Sequence, residues 1–171
     1  MANHKIIITM ENGAQMHLEL YEDVAPITVK NFVNLVEHGF YDGLCFHRVI
    51  DGFMIQGGGF THTARGLVPK EGARTIKGEF LQNGVQNTLK HTAGTISMAR
   101  TNVPDSASSQ FFICVADTPF LDGAYAAFGR VTDQASLDVA VSIGKVATGN
   151  LGYYGDVPRT PVVIKSIRLE K

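Results

Sequence analysis

A cation set among apolar residues is the first feature of this chain that could do chemistry. In Phe46-His47-Arg48-Val49-Ile50, Arg48 interrupts a run of strand character, and after an Asp51-Gly52 turn comes a second short run, Phe53-Met54-Ile55-Gln56. Residues two apart on a strand share a face. Alternation therefore predicts Phe46, Arg48 and Ile50 on one side with His47 and Val49 on the other, and Met54 and Gln56 together across the turn. An unpaired buried charge is costly, so Arg48 needs solvent or a partner, and Gln56 supplies one. Gly57-Gly58-Gly59 then allow backbone conformations closed to other residues and close approach by another group. The stretch therefore reads as a site and not only as core. The alternative is that Arg48 lies on a solvated strand edge beside an ordinary glycine loop.

Other chemistries find less support. The six histidines, His4, His17, His38, His47, His62 and His91, show no metal-ligand spacing such as an i, i+4 pair. No Gly-x-Ser-x-Gly elbow occurs, and no Asp and His stand out as partners for a serine, which argues against hydrolysis. The glycines at 57–59 lack the Lys-Ser/Thr pair of a phosphate cradle. With a formal net charge of −1 and no basic cluster, neither nucleic acid nor an acidic membrane surface is an expected partner. The apolar run Ile6-Ile7-Ile8 is too short for a signal peptide or a membrane span, so a cytoplasmic location is expected. Cys45 and Cys114 sit in apolar, strand-like sequence and read as small buried hydrophobes, not as a disulfide.

The elements that must position Arg48 are mostly strands. His4 to Met10 and Gln15 to Leu20 read as a hairpin over Asn12-Gly13. Pro26 opens a helix carrying Val29, Phe32, Val33 and Val36 at helical spacing, with Gly39 as its stop. Thr61 to Thr95 is a long glycine-rich segment without a strand pattern. Gly94 to Met98, Gln110 to Val115, Phe128 to Val131 and Pro161 to Leu169 read as further strands, and Gln134 to Gly144 as a second helix. In Gln110–Val115 both faces are apolar: Phe111, Ile113 and Val115 on one, Phe112 and Cys114 on the other. One face belongs in a core; the other needs a cover or a ligand. From composition alone, Phe53, Met54, Phe112 and Leu121 would be ordinary core. The 171 residues suit a single domain, 1–171, able to bury roughly 70% of its unfolded surface. The fold class expected is mainly β, a closed eight-stranded antiparallel β-barrel capped by two α-helices.

Beyond the Arg48 stretch, Ser97-Met98-Ala99-Arg100, Ser109-Gln110-Phe111-Phe112-Ile113-Cys114, Phe120-Leu121-Asp122-Gly123 and Phe128-Gly129 follow in a characteristic order. Together these motifs resemble the cyclophilin family of peptidyl-prolyl isomerases, in particular its compact bacterial cytoplasmic form, over nearly the whole chain. The resemblance implies the capped barrel and the rotation of X-Pro bonds in proline-containing polypeptides, without cofactor or metal. It implies Arg48 as the catalytic residue with Gln56 orienting it. Substrate would be held by Phe53, Met54, Ala99, Arg100, Gln110, Phe112, Phe120, Leu121 and Tyr125, with Phe53, Met54, Phe112 and Leu121 forming the proline pocket. Arg100 stands where eukaryotic members commonly carry Asn, and Tyr125 where they carry His. Phe120 replaces the tryptophan of cyclosporin-sensitive members, which implies weak cyclosporin binding. A monomer is expected. Two other readings stay open on the sequence: a module that binds proline segments without turnover, and a structural barrel whose aromatic outer face docks a protein.

Overall fold

The computed structural model describes residues 3–170. Strands β1 (His4–Met10) and β2 (Gln15–Leu20) form the expected hairpin, turned by Gly13 at φ +92° with the Asn12 side chain accepting the Ala14 N–H at 3.0 Å. Helix α1 (Pro26–Glu37) begins on proline and buries Val29, Phe32, Leu35 and Val36. Its first turn has no capping side chain of its own. Glu79, far along the chain, instead accepts from the Thr28 N–H at 2.6 Å and the Thr28 hydroxyl at 2.7 Å, which satisfies an orphan donor of the helix and ties the long middle segment to it.

β3 (Phe46–Ile50) and β4 (Met54–Gly57) are joined by the Asp51-Gly52 turn, and β5 (Phe60–Thr63) pairs with β6 (Gly66–Pro69) in a small separate sheet. Irregular chain with one 3-10 turn at Leu81–Asn83 leads to β7 (Thr95–Met98). Then come β8 (Phe111–Cys114), a 3-10 turn at Pro119–Leu121, β9 (Ala127–Val131), and α2 (Gln134–Gly144), whose N-cap Asp133 accepts from the Ser136 N–H at 2.7 Å. A hairpin of β10 (Thr148–Leu151) and β11 (Tyr154–Pro158) precedes the last strand, β12 (Ile164–Leu169).

Eight strands make one antiparallel sheet in the order β12-β1-β2-β9-β7-β8-β4-β3. The sheet curls through 242° and stops short of the closed barrel expected from the sequence. Its two edges, β3 and β12, touch only near their starts, at an isolated Cys45–Val163 bridge flanked by the bonds Phe46 N–H to Val162 O (2.9 Å) and Ile164 N–H to Leu44 O (2.7 Å). A full ladder is interrupted because Pro161 has no N–H to give and because β11 lies against β3. Inside the curl, Ile6, Ile8, Leu18, Ile55, Ile96 and Ile113 pack around an aromatic group of Phe32, Tyr41, Phe46, Phe111 and Phe128.

Three further sequence expectations change. The hairpin β5–β6, from Phe60 to Pro69, falls almost wholly in the Thr61–Thr95 segment where no strand was expected, and β10–β11 is an addition; Phe60-Thr61-His62-Thr63 and Thr148-Gly149-Asn150-Leu151 carry too few apolar residues to show a strand period. The β3 register also shifts between Phe46 and Arg48. Because of that bulge, Phe46 and Val49 both face the core while Arg48 faces out, so Phe46 does not share the face of Arg48.

Candidate active site

Strands β4 and β8 each have two apolar faces, and the second face builds the site. Phe111, Ile113 and Ile55 enter the main core; Met54, Phe112 and Cys114 point outward and form a smaller cluster with Leu121, flanked by Ile50, Phe53, Ala99 and Tyr125. The 3-10 turn at Pro119–Leu121 covers part of this face and leaves a cavity of about 140 Å³. Arg48, Phe53, Met54, Gln56, Ala99, Arg100, Phe112, Leu121 and Tyr125 line it. Of the remaining expected site residues, Gln110 stands behind Gln56, and Phe120 is 71% exposed at the rim with its ring 5.6 Å from that of Phe53. All eleven residues singled out in the sequence thus meet at one place.

Arg48 and Gln56 are direct partners across the β3–β4 ladder, and Gln56 pairs with Phe112 on β8. Arg48 Nη1 donates to Gln56 Oε1 at 3.4 Å, and Gln56 Nε2 donates to Gln110 Oε1 at 3.0 Å. The chain of three side chains runs along the pocket and leaves the exposed guanidinium with further N–H groups unused. Glycine is required behind it. A Cβ at Gly59 would overlap the Gln110 side chain, and one at Gly58, where φ is +90°, would come within 2.9 Å of Phe111 and Tyr41.

Arg100 is held differently. Its Nε and Nη2 donate to Ala124 O at 3.1 and 2.6 Å, Nη1 donates to Thr101 O at 2.9 Å, and the guanidinium lies 4.6 Å from the Phe80 ring centre and 4.7 Å from that of Tyr125.

Beneath the pocket lies a constellation that the sequence did not disclose. His91 Nε2 is 2.9 Å from Ser97 Oγ, its Nδ1 is 3.0 Å from Asp122 Oδ1, and its ring stacks on Phe112 with 6.0 Å between centres. The order Ser-His-Asp is that of a nucleophilic triad, but Ser97 and His91 are fully buried behind Phe112, so no substrate reaches the hydroxyl. The array ties the loop at His91 to β7 and to the turn after Leu121. Burial lowers the His91 pKa, opposed by the Asp122 carboxylate. No local pattern marks these residues; only the pairing of β7 with β8 and the turn after Leu121 bring them together.

On the other side of β3, His47 is 5% exposed, its ring is 4.5 Å from that of Phe60, and its Nδ1 has no hydrogen-bond partner. Loss of hydration, with a smaller contribution from the adjacent Arg48 charge, pushes its pKa down to about 4. A second cavity, of about 580 Å³, lies elsewhere, between α2 and the β1–β2 turn. Its ionisable residues, Glu11 and Arg159, make no catalytic array.

An outward apolar pocket on a curled antiparallel sheet, lined by Arg48 and Arg100, is an arrangement able to hold an apolar side chain beside a cation. Comparison with known proteins identifies the family. Residues 5–169 match the profile of the cyclophilin type peptidyl-prolyl cis-trans isomerases. Peptidyl-prolyl cis-trans isomerase A of Dickeya dadantii is 43% identical over 171 residues, covering 97% of this chain and 84% of its own. Peptidyl-prolyl cis-trans isomerase B of Escherichia coli is 40% identical over 168 residues, covering 94% and 96%. The crystal structure of a Cryptosporidium parvum cyclophilin type peptidyl-prolyl cis-trans isomerase superposes with a TM-score of 0.78 at 26% identity over 99% of both chains. Another structure of it, obtained in the presence of the dipeptide Ala-Pro, gives a TM-score of 0.76 at 27% identity over 98% of this chain and 99% of that one. The chain belongs to the cyclophilin-type peptidyl-prolyl cis-trans isomerases.

Proposed function

We propose that this chain's isomerase reaction takes place in the 140 Å³ pocket, with Arg48 as the catalytic residue. The observation that carries this reading is the Arg48–Gln56–Gln110 chain at the edge of an apolar cleft formed by Phe53, Met54, Phe112 and Leu121. Amide resonance sets a barrier of roughly 18–20 kcal/mol to rotation, so X-Pro bonds isomerise unaided in tens to hundreds of seconds. As the bond twists, the prolyl nitrogen recovers its lone pair and becomes a hydrogen-bond acceptor. A guanidinium N–H can meet that acceptor only in the twisted state, and binding that appears only there lowers the barrier. One charge-assisted bond of about 1.5–3 kcal/mol gives roughly ten- to a hundred-fold, and more in a water-poor cleft. The proline ring stays in the apolar pocket while the preceding carbonyl swings. Gln56 aims the guanidinium, and Gln110 holds Gln56 and nearby substrate backbone. Every proton that Arg48 donates it keeps, so the step needs no base, nucleophile or cofactor.

Phe120 supplies the rim with an apolar wall that has no hydrogen-bond donor, which fits weak cyclosporin binding. Cys45 and Cys114 are buried free thiols, burial pushing each up to about 11, which fits a reducing compartment; we place the enzyme in the cytoplasm as a monomer acting on folding polypeptides. The direct test is the isomerisation rate of a short X-Pro peptide with and without the protein. A rate unchanged by the protein would refute the reading.

A further inference from the structure

Two guanidinium groups and no carboxylate line the proline pocket. Arg48 is exposed and tethered by one long bond, but Arg100 is fixed, clamped to the Ala124 and Thr101 carbonyls and flanked by the Phe80 and Tyr125 rings. Carbonyls and ring faces orient a cation without cancelling its charge. Among the described residues neither arginine has a carboxylate within salt-bridge distance. Acids on adjoining segments bond to other groups: Asp122 to His91, Asp105 to the Gly78 N–H and Asn83, Glu79 to Thr28 at the start of α1. Three of the five N–H groups of Arg100 reach main-chain oxygens, leaving two for a ligand.

We infer that Arg100 is a specificity-determining residue and that this pocket selects X-Pro segments bearing an acidic side chain next to the proline over those bearing a basic one. The inference rests on the pocket being the proline site, and it adds the chemical class of the preferred substrate. One fixed cation acting over a separation of about 7 Å, in a largely aqueous setting, would separate Glu from Lys by about five- to tenfold, and screening shrinks that ratio as salt is added.

The test is kcat/KM for two peptide sets that differ only in the residue before the proline, or only in the residue after it, with Glu, Ala or Lys in each. At low salt, Glu over Lys should reach about five- to tenfold at one or both positions with Ala between, and near 1 M salt the ratio should fall to about twofold or less. Arg100→Gln should pull the low-salt ratio toward unity, while Arg100→Lys should keep its sign. A merely structural role would lower the three peptides of a set alike and leave the ratio unmoved. Turnover of the Ala peptides with Glu and Lys within twofold of each other at both positions would overturn the selectivity and leave the isomerase reading standing. No turnover of any peptide by the wild-type enzyme would overturn both. The wild-type ratios and their salt dependence decide the matter even if a variant fails to fold.

Discussion

His47 should make the fold acid-sensitive between about pH 6.5 and about pH 4. Its imidazole is neutral in the folded protein down to about pH 4, against an ordinary value of about 6.5, because burial removes hydration and Arg48 adds a like charge next to it. In the unfolded chain the same ring takes up a proton below about pH 6.5. Between these values the unfolded state holds more protons, so stability falls as pH falls through the window, does not depend on this group above it, and levels off below about pH 4. A separation of about 2.5 units at 1.36 kcal/mol each gives roughly 3 kcal/mol lost by pH 4, a large part of a total stability of about 5–15 kcal/mol. His91, lowered in the same direction, adds to the loss. Urea midpoints from pH 7 to pH 4 for wild type, His47→Gln and His47→Leu isolate the His47 share. The carboxylates that hydrogen bonds hold low, Asp42 beside Arg168 and Asp133 at the α2 cap, are present in every variant and cancel in the difference. The wild-type-minus-variant stability should fall by about 3 kcal/mol across the window. A pH-independent difference, or a His47 ring that titrates near 6.5 by NMR, would show that the site is wetter than its packing against Phe60 indicates.

Neighbouring phenylalanines on β8 should separate stability from activity. Phe111 is fully buried with its ring 5.5–5.9 Å from those of Tyr41, Phe32 and Phe46, so Phe111→Ala should cost about 3–5 kcal/mol in denaturant unfolding. Phe112 faces the pocket, and Phe112→Ala should unfold more easily by a smaller margin while losing more kcat/KM; equal stability losses would refute the two-face assignment. Phe120→Trp should restore an indole donor at the rim and tighten cyclosporin inhibition by about 1–3 kcal/mol, or roughly five- to 150-fold, with little change in turnover. Tight inhibition of the wild type, or no gain from the indole, would remove the hydrogen-bond account of that position.

The legible parts of this protein are those where neighbours in sequence are neighbours in space. Arg48 meets Gln56 because a tight turn joins their strands, and α2 runs from Gln134 to Gly144, the bounds expected from the sequence. Strand period alone showed that one of the two apolar faces of β8 needed a cover or a ligand. It did not show what; that the turn at Leu121 and the Tyr125 loop complete the pocket came from resemblance to a family. The bulge that puts Phe46 and Val49 on one side was hidden because nothing in FHRVI breaks alternation locally. The His91–Ser97–Asp122 array was hidden because its members come from a loop, a strand and a turn up to 31 residues apart. Arg100 read as a substitution of uncertain effect until Phe80, from the middle segment, was seen to pack on it. Closure of the sheet was overestimated because strand number says how many strands pair, not whether the last meets the first along its length.

Steady-state isomerisation of one Ala-Pro-containing peptide by wild type, Arg48→Ala and Arg48→Lys, with a thermal melt of each, tests most directly whether Arg48 donates to the prolyl nitrogen only as the bond twists. Arg48 is exposed and makes one long side-chain bond, so the melts should coincide. Arg48→Ala should lose roughly ten- to a hundred-fold in kcat/KM, mainly in kcat, and lysine, without the planar fork that Gln56 aims, should not restore it fully. Wild-type turnover by Arg48→Ala with an unchanged melt would contradict the account.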